Sequence, residues 1–152
     1  SGLLRNTIIL SKHETILLRQ ELELIEKYLS LEKIRYEERL QYEFNIPKSL
    51  YDFPVPPLII QTLIENGIKH GISKLKNGGK ITLSASLNKS TLHLLIMNSG
   101  QYEPIEQGEG IGIPNSKTRL NLMYGEKGSL RISQQSDRDV QVELRIPKEL
   151  KS

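Results

Sequence analysis

Leu18, Leu22, Ile25 and Leu29 recur at spacings of four, three and four, and Leu24, Tyr28 and Leu31 form a second apolar stripe beside them. With Glu, Lys and Arg in between, the pattern predicts an amphipathic helix running to about Arg39. Two adjacent stripes can serve a domain face and a partner helix at once. Leu3 to Leu10 reads as a shorter helical piece. Tyr42, Phe44 and Ile46 then alternate as a half-buried strand does. Pro47 to Pro57 is a loop, because Pro54, Pro56 and Pro57 exclude ladder and helix interior, and Pro57 can occupy the first turn of the next helix. That helix, Leu58 to His70, is apolar through Leu58, Ile59, Leu63, Ile64 and Ile68, and Gly71 ends it. After a turn at Asn77-Gly78-Gly79, Ile81, Leu83, Ala85 and Leu87 alternate. A tight turn at Asn88-Lys89-Ser90 leads to Leu92, Leu94 and Ile96, so the pair predicts a hairpin. A glycine-containing loop covers Asn98 to Gly112, and a helix from Asn115 to Tyr124 follows, capped by Gly125. Two last strands, Leu130 to Gln134 and Val140 to Ile146, flank a turn at Ser136 to Asp139. Most strands join as hairpins, which predicts an α+β fold with a mixed, mostly antiparallel sheet and helices on one face.

The length of 152 residues suits a single domain, and the 37% hydrophobic share is enough for one core. The net charge of +3 is scattered: Lys74, Lys76 and Lys80 are interrupted by Asn and Gly, and there is no Trp and only two Phe. A nucleic-acid groove asks for a longer basic stripe with interleaved aromatics, so no nucleic-acid partner is expected. The balance suits a polyanionic small ligand. Absence of cysteine excludes disulfides, zinc-thiolate sites and thiol catalysis, and fits a reducing compartment. No apolar run approaches the ~18 residues of a membrane span. The start at Ser1-Gly2-Leu3, without an initiator Met, reads as that of an excised fragment, with any membrane anchor upstream.

Chemistry-bearing residues gather in two places. In Glu65-Asn66-Gly67-Ile68-Lys69-His70-Gly71, helical spacing puts Asn66, Lys69 and His70 on one face. An amide oxygen, an ammonium and an imidazole there can meet a metal-bound phosphate chain; taken singly, each also fits the solvated end of a core helix. In Gly108-Glu109-Gly110-Ile111-Gly112-Ile113, glycines before a helix free backbone N–H groups to cradle an anion; a flexible connector is the plainer reading. The spacing is neither a dinucleotide fingerprint nor a P-loop. Asn98-Ser99-Gly100 ends a strand.

The order of these pieces, with Asn115 and Arg119-Leu120 on the following helix, resembles the nucleotide site of the GHKL superfamily of gyrase, heat-shock chaperone, histidine kinase and MutL. More narrowly, the segment from Gln20 to Arg35 is similar to the linker helix of LytS-like sensor histidine kinases. So is the segment from Val55 to Asn66, with its Pro-Pro, Gln and Glu-Asn. The resemblance covers Leu4 to Pro147. It implies a two-layer α/β sandwich holding ATP between helices and sheet, with residues 1–40 as linker helix and 41–152 as the ATP-binding domain. By position, Asn66 would hold Mg²⁺, Lys69 and His70 would reach the phosphates, and Glu65 would act as general base or polarising carboxylate. Asn98 would meet the adenine amino group beside Gly100. Gly108, Gly110 and Gly112 would border the triphosphate beneath a lid at 101–109, and Asn115 would follow on the next helix. The implied activity is transfer of the ATP γ-phosphoryl to a His on upstream dimerisation helices, and thence to a response-regulator receiver domain. The implied setting is a homodimer with this domain in the cytoplasm and an anchor in the inner membrane.

Three positions depart from the family pattern. Asn98 stands where Asp is usual; its side-chain oxygen can still accept from the adenine amino group, without the charge-assisted part of that bond, ~1 kcal/mol. Tyr102 replaces a glycine, and Asp139-Val140 replaces Gly-Thr. These changes bear on the nucleotide site rather than on the fold, and they motivate an alternative, a non-catalytic dimerisation or signalling module on the same fold. None of the three histidines, His13, His70 and His93, has the context of the phosphoacceptor, which is expected upstream.

Overall fold

The computed structural model describes residues 14–100 and 112–151. The predicted helical piece at 3–10 and the lid at 101–109 lie outside the described residues. In chain order the elements are β1 (Ile16–Leu17), α1 (Leu18–Tyr36), β2 (Leu40–Asn45), β3 (Pro54–Val55), α2 (Ile59–His70), β4 (Gly79–Asn88), β5 (Thr91–Ser99), α3 (Gly112–Tyr124), β6 (Ser129–Gln134) and β7 (Asp139–Pro147). A five-stranded sheet runs in the order β2-β4-β5-β7-β6. β2 pairs with β4 in parallel, and all its other pairings are antiparallel. The fold is α+β with a mixed sheet, as the alternation predicts.

The core lies between the helices and one face of this sheet. Every second residue of β5, Leu92, Leu94 and Ile96, is buried, as are Ile81 and Leu83 of β4 and Val142, Leu144 and Ile146 of β7. On the helix side they join Leu18, Ile25 and Leu29 of α1, Ile60, Leu63 and Ile64 of α2, and Leu120 and Met123 of α3. The period of two on strands and of three to four on helices is therefore read out directly as burial. The second stripe of α1 goes the other way. Leu24 is 40% exposed, Leu31 67% and Ile34 75%, while Tyr28 is half-buried.

Four local expectations are corrected. The first helix ends at Tyr36, where Glu37 takes a φ of 54° and a single 3₁₀ turn covers Glu37–Arg39. Pro54 does enter a ladder: Leu17 and Pro54 are partners in a two-residue antiparallel bridge, where an edge position leaves no N–H to be missed. Pro57 is not in the helical first turn. Leu58 precedes α2 in the left-handed conformation, φ 69°, and its carbonyl accepts the first intrahelical bond from Thr62 N at 3.0 Å. The last helix begins at Gly112, three residues earlier than predicted, so Asn115 sits in its first turn. Gly125 closes that stretch in a left-handed conformation that a residue without Cβ adopts freely.

Candidate functional site

The C-terminal half of α2 lies hard against the end of β5. A Cβ on Gly67 would come within 3.1 Å of Asn98 Oδ1. One on Gly71 would lie 2.6 Å from Gly67 O, 2.8 Å from Asn98 Nδ2 and 2.9 Å from Ser99 O. Glycine at both positions lets a helix backbone approach a strand closer than any side chain permits. Gly71 ends α2 for that reason and not by a left-handed turn, since its φ is −116°. Asn98 is 5% exposed, and its Nδ2 donates to Ser99 O at 3.1 Å. Its register partners are Ile81 on β4 and Val140 on β7, so the amide ends an otherwise apolar row.

Beyond Asn98 a cleft of about 600 Å³ opens between the end of α2, the loop after it and the β6–β7 turn. His70, Gly71, Lys74, Lys76, Ser99, Gly100, Arg138 and Asp139 are among its lining residues. Gly100, at φ 128°, donates its N–H to Arg138 O at 2.7 Å. The carbonyls of Gly100, Ser136 and Asp139 converge on Gln134 Nε2 at 3.2, 2.7 and 3.1 Å. This ties the β6–β7 turn to the end of β5.

The structure brings some of the predicted site residues together and separates others. His70 and Gly100 line the cleft, and Asn98 stands behind it. Lys69 is exposed on the last turn of α2, its carbonyl accepting from Ser73 Oγ at 2.6 Å. Asn66 is half-buried, and its Nδ2 is buried without a hydrogen-bond partner. Glu65 is not among the cleft residues, and its carboxylate is near enough to Tyr28 of α1 to act on that hydroxyl. Gln61 Nε2 donates to its Oε2 at 2.9 Å. Burial first, then the neighbouring Glu32 and Glu65 carboxylates, push the Tyr28 hydroxyl above its ordinary pKa. Asn115 is exposed on α3. Gly112 begins that helix, while Gly108, Gly110 and Tyr102 lie outside the described residues. Among the described residues no group of three His, Asp or Glu stands close enough to hold a metal by itself.

One buried charge escaped the sequence reading. Glu21 of α1 is fully buried, and its Oε1 accepts from Leu58 N at 2.9 Å and its Oε2 from Gln61 N at 3.2 Å. A carboxylate from one helix thus satisfies the N-terminal amides of another, where the dipole favours negative charge. Burial still dominates and pushes the Glu21 carboxyl above its ordinary pKa, with these backbone bonds and the charge of Arg119 pulling the other way. Burial likewise lowers the pKa of Arg119, against the pull of Glu21 and Tyr124; its Nε and Nη2 are buried without hydrogen-bond partners. The signal available was an acid at the buried helical spacing Leu18, Glu21, Ile25.

Known proteins match along nearly all of this chain. The family model described as histidine kinase matches residues 1–40. The sensor histidine kinase BtsS of Escherichia coli K12 is 33% identical over 135 residues, covering 88% of this chain and 24% of that protein. The sensor protein LytS of Staphylococcus saprophyticus is 32% identical over 160 residues, covering 97% of this chain and 27% of that protein. The chain belongs to the LytS-like sensor histidine kinases. Its fold agrees with that of solved histidine kinase catalytic domains. The nucleotide-free catalytic domain of histidine kinase ThkA superposes with a TM-score of 0.68 at 15% identity, over 89% of this chain and 97% of that one. This LytS-like chain spans about a quarter of the length of the first curated relatives it matches. No helix among its described residues is long and apolar enough to cross a membrane.

Proposed function

We propose that this chain is the ATP-binding catalytic part of its sensor kinase, and that it passes the γ-phosphoryl of ATP to a His on an upstream dimerisation helix. The observation that carries this reading is the seating of the Asn66–Gly71 turn of α2 against Asn98, directly behind the cleft that His70 and Gly100 line. Lys69 and His70 would bind phosphate oxygens through charge and a donated hydrogen bond. Asn98 would accept from the adenine amino group. Gly100 would lie beside the adenine, and Gly108, Gly110 and Gly112 would let backbone N–H groups approach the triphosphate. Asn115 would follow in the first turn of α3.

Asn66 suits a hard cation, because its buried Nδ2 has no hydrogen-bond partner and a flip of the amide would put the oxygen in its place. Mg²⁺, when bound, would neutralise phosphate charge and hold the chain of phosphates in line. In the transfer, the bond from the γ-phosphorus to its bridging oxygen breaks, a nitrogen–phosphorus bond to the imidazole forms, and ADP leaves. Glu65 would take the imidazole proton or polarise the ring. The phosphoryl group would then pass to a receiver-domain Asp of a response regulator, within a homodimer whose catalytic part faces the cytoplasm and whose anchor lies in the inner membrane. Residues 1–40 would act as the linker helix and 41–152 as the ATP-binding unit.

Calorimetry with Mg²⁺ and a non-hydrolysable ATP analogue tests the reading. Saturable binding below millimolar analogue is expected. Absence of binding at millimolar analogue would leave a non-catalytic dimerisation or signalling module, a reading favoured by Asn98 and Val140 where the family has Asp and Thr.

A further inference from the structure

α1 and α2 hold each other by their N-termini. The first amides of α1 donate to the segment that leads into α2: Leu18 N to Phe53 O and Arg19 N to Tyr51 O, both at 2.8 Å. The first amides at α2 donate back to Glu21 of α1, from Leu58 and Gln61. The Arg19–Asp52 ion pair at 2.5 Å adds an exposed clasp. Apart from these clasps, apolar side chains of both helices share the core, and Glu65 neighbours Tyr28. The buried carboxylate ties the two helices most tightly in register, because any displacement of α1 along its axis uncovers two amides and leaves a buried charge facing Arg119 with fewer donors.

We propose that Glu21 is a positioning residue that sets the place of α2, and with it Asn66, Lys69 and His70, according to the place of α1. The inference rests on the reading of α2 as the nucleotide helix. Glu21 touches no part of the proposed nucleotide cleft, so its influence on binding runs through the N-terminus of α2. The exposed stripe of Leu24, Leu31 and Ile34 shows that α1 keeps a face not committed to its own sheet, and a pull on that face reaches α2 through Glu21.

The test compares the 152-residue chain with its Glu21→Gln variant, which keeps the shape and one acceptor but loses the charge and an acceptor. Both are studied at a temperature where unfolding curves show each to be fully folded. Amide hydrogen exchange and titration with Mg²⁺ and the non-hydrolysable analogue are read together. The expected result is faster exchange from Gln61 to Gly71 with the β4–β5 hairpin unchanged, and about fivefold weaker analogue binding, the low end of typical coupling between sites. A residue that serves only stability would leave both readings unchanged while the chain is folded, and that outcome overturns the proposal. Failure of the unaltered chain to bind the analogue refutes the nucleotide reading, and with it the role given to Glu21, even where exchange shows the helices to be coupled. Should Glu21→Gln not fold, Glu21→Asp serves instead, since it keeps the charge and retracts the carboxylate by one methylene.

Discussion

The Glu21 carboxylate receives the N–H of Leu58 at 2.9 Å, 37 residues along the chain, and with the N–H of Gln61 at 3.2 Å this holds the start of α2. Leu58 stands at φ 69°, a conformation costly for a side chain with a Cβ, and it is held there with its amide turned toward Glu21. The carboxylate is also a pH-dependent element. Its folded pKa lies above the unfolded value because burial outweighs its hydrogen bonds. The folded state therefore holds this proton more tightly, and the associated stability is full below about pH 4.5 and lost as pH rises through the folded pKa. Urea midpoints at pH 4.5 and pH 7 should show a smaller fall for Glu21→Gln than for the unaltered chain. Equal falls would refute this assignment.

Gly67 and Gly71 differ in what a methyl group would strike. At Gly71 two of the three nearest atoms are backbone carbonyl oxygens, under 3.0 Å away, so Gly71→Ala should lower stability by about 1–3 kcal/mol, as overpacking does. At Gly67 the neighbours are Asn98 side-chain atoms at 3.1 Å and beyond. A small rotation relieves them, and alanine returns up to ~1 kcal/mol of helix propensity. Gly67→Ala should therefore fall within about 1 kcal/mol of the unaltered chain in chemical denaturation.

Asn98→Asp should tighten ATP by several-fold, since a charged acceptor makes roughly twice the hydrogen bond of a neutral one. The same change should lower the melting temperature, because the present amide donates to Ser99 O and a carboxylate would face that oxygen without a proton. The gain should be confined to adenine, as guanine offers a carbonyl at the matching position. Titrations of both variants with ATP and GTP decide it; equal tightening for the two nucleotides would mean that Asn98 does not face the base.

Asn66→Ala should abolish the dependence of nucleotide binding on Mg²⁺ with little loss of stability, because its Nδ2 makes no hydrogen bond to lose. Binding with and without Mg²⁺, measured in both proteins, reports directly on the metal ligand. An unchanged Mg²⁺ effect would place the metal elsewhere.

The chain by itself should not phosphorylate its own histidines. His70 ends α2 at the cleft, and His93 is half-buried on β5 between the registers of Ser86 and Arg145. Incubation with γ-labelled ATP should leave no acid-labile label on the protein. Stable label on any of the three histidines would refute the expectation of an upstream acceptor.

Much of this architecture is written in local periodicity. The alternation of Leu92, Leu94 and Ile96 and the spacing of Leu18, Ile25 and Leu29 correspond to burial almost residue by residue. What escaped was set by partners distant in sequence. Leu58 looked like an ordinary first helical residue, and only Glu21 explains its left-handed turn. Pro54 looked excluded from pairing, and only the isolated bridge to Leu17 admits it. Glu65, Asn66 and His70 were legible as a polar cluster, yet Glu65 neighbours Tyr28 of α1 while His70 lines the cleft. Helical spacing sets Glu65 roughly 140° from His70, but it does not say which of the two faces meets α1.

The parallel pairing of β2 with β4 also bears on the order in which the molecule forms. The β4–β5 hairpin closes over two residues, Lys89 and Ser90, an event of microseconds. β2 meets β4 only across the proline segment and all of α2, and its contacts carry the loop-closure entropy of that long excursion. The strand nearest the start of the sheet in sequence is thus a late arrival in time, docking onto an edge that later parts of the chain have already built.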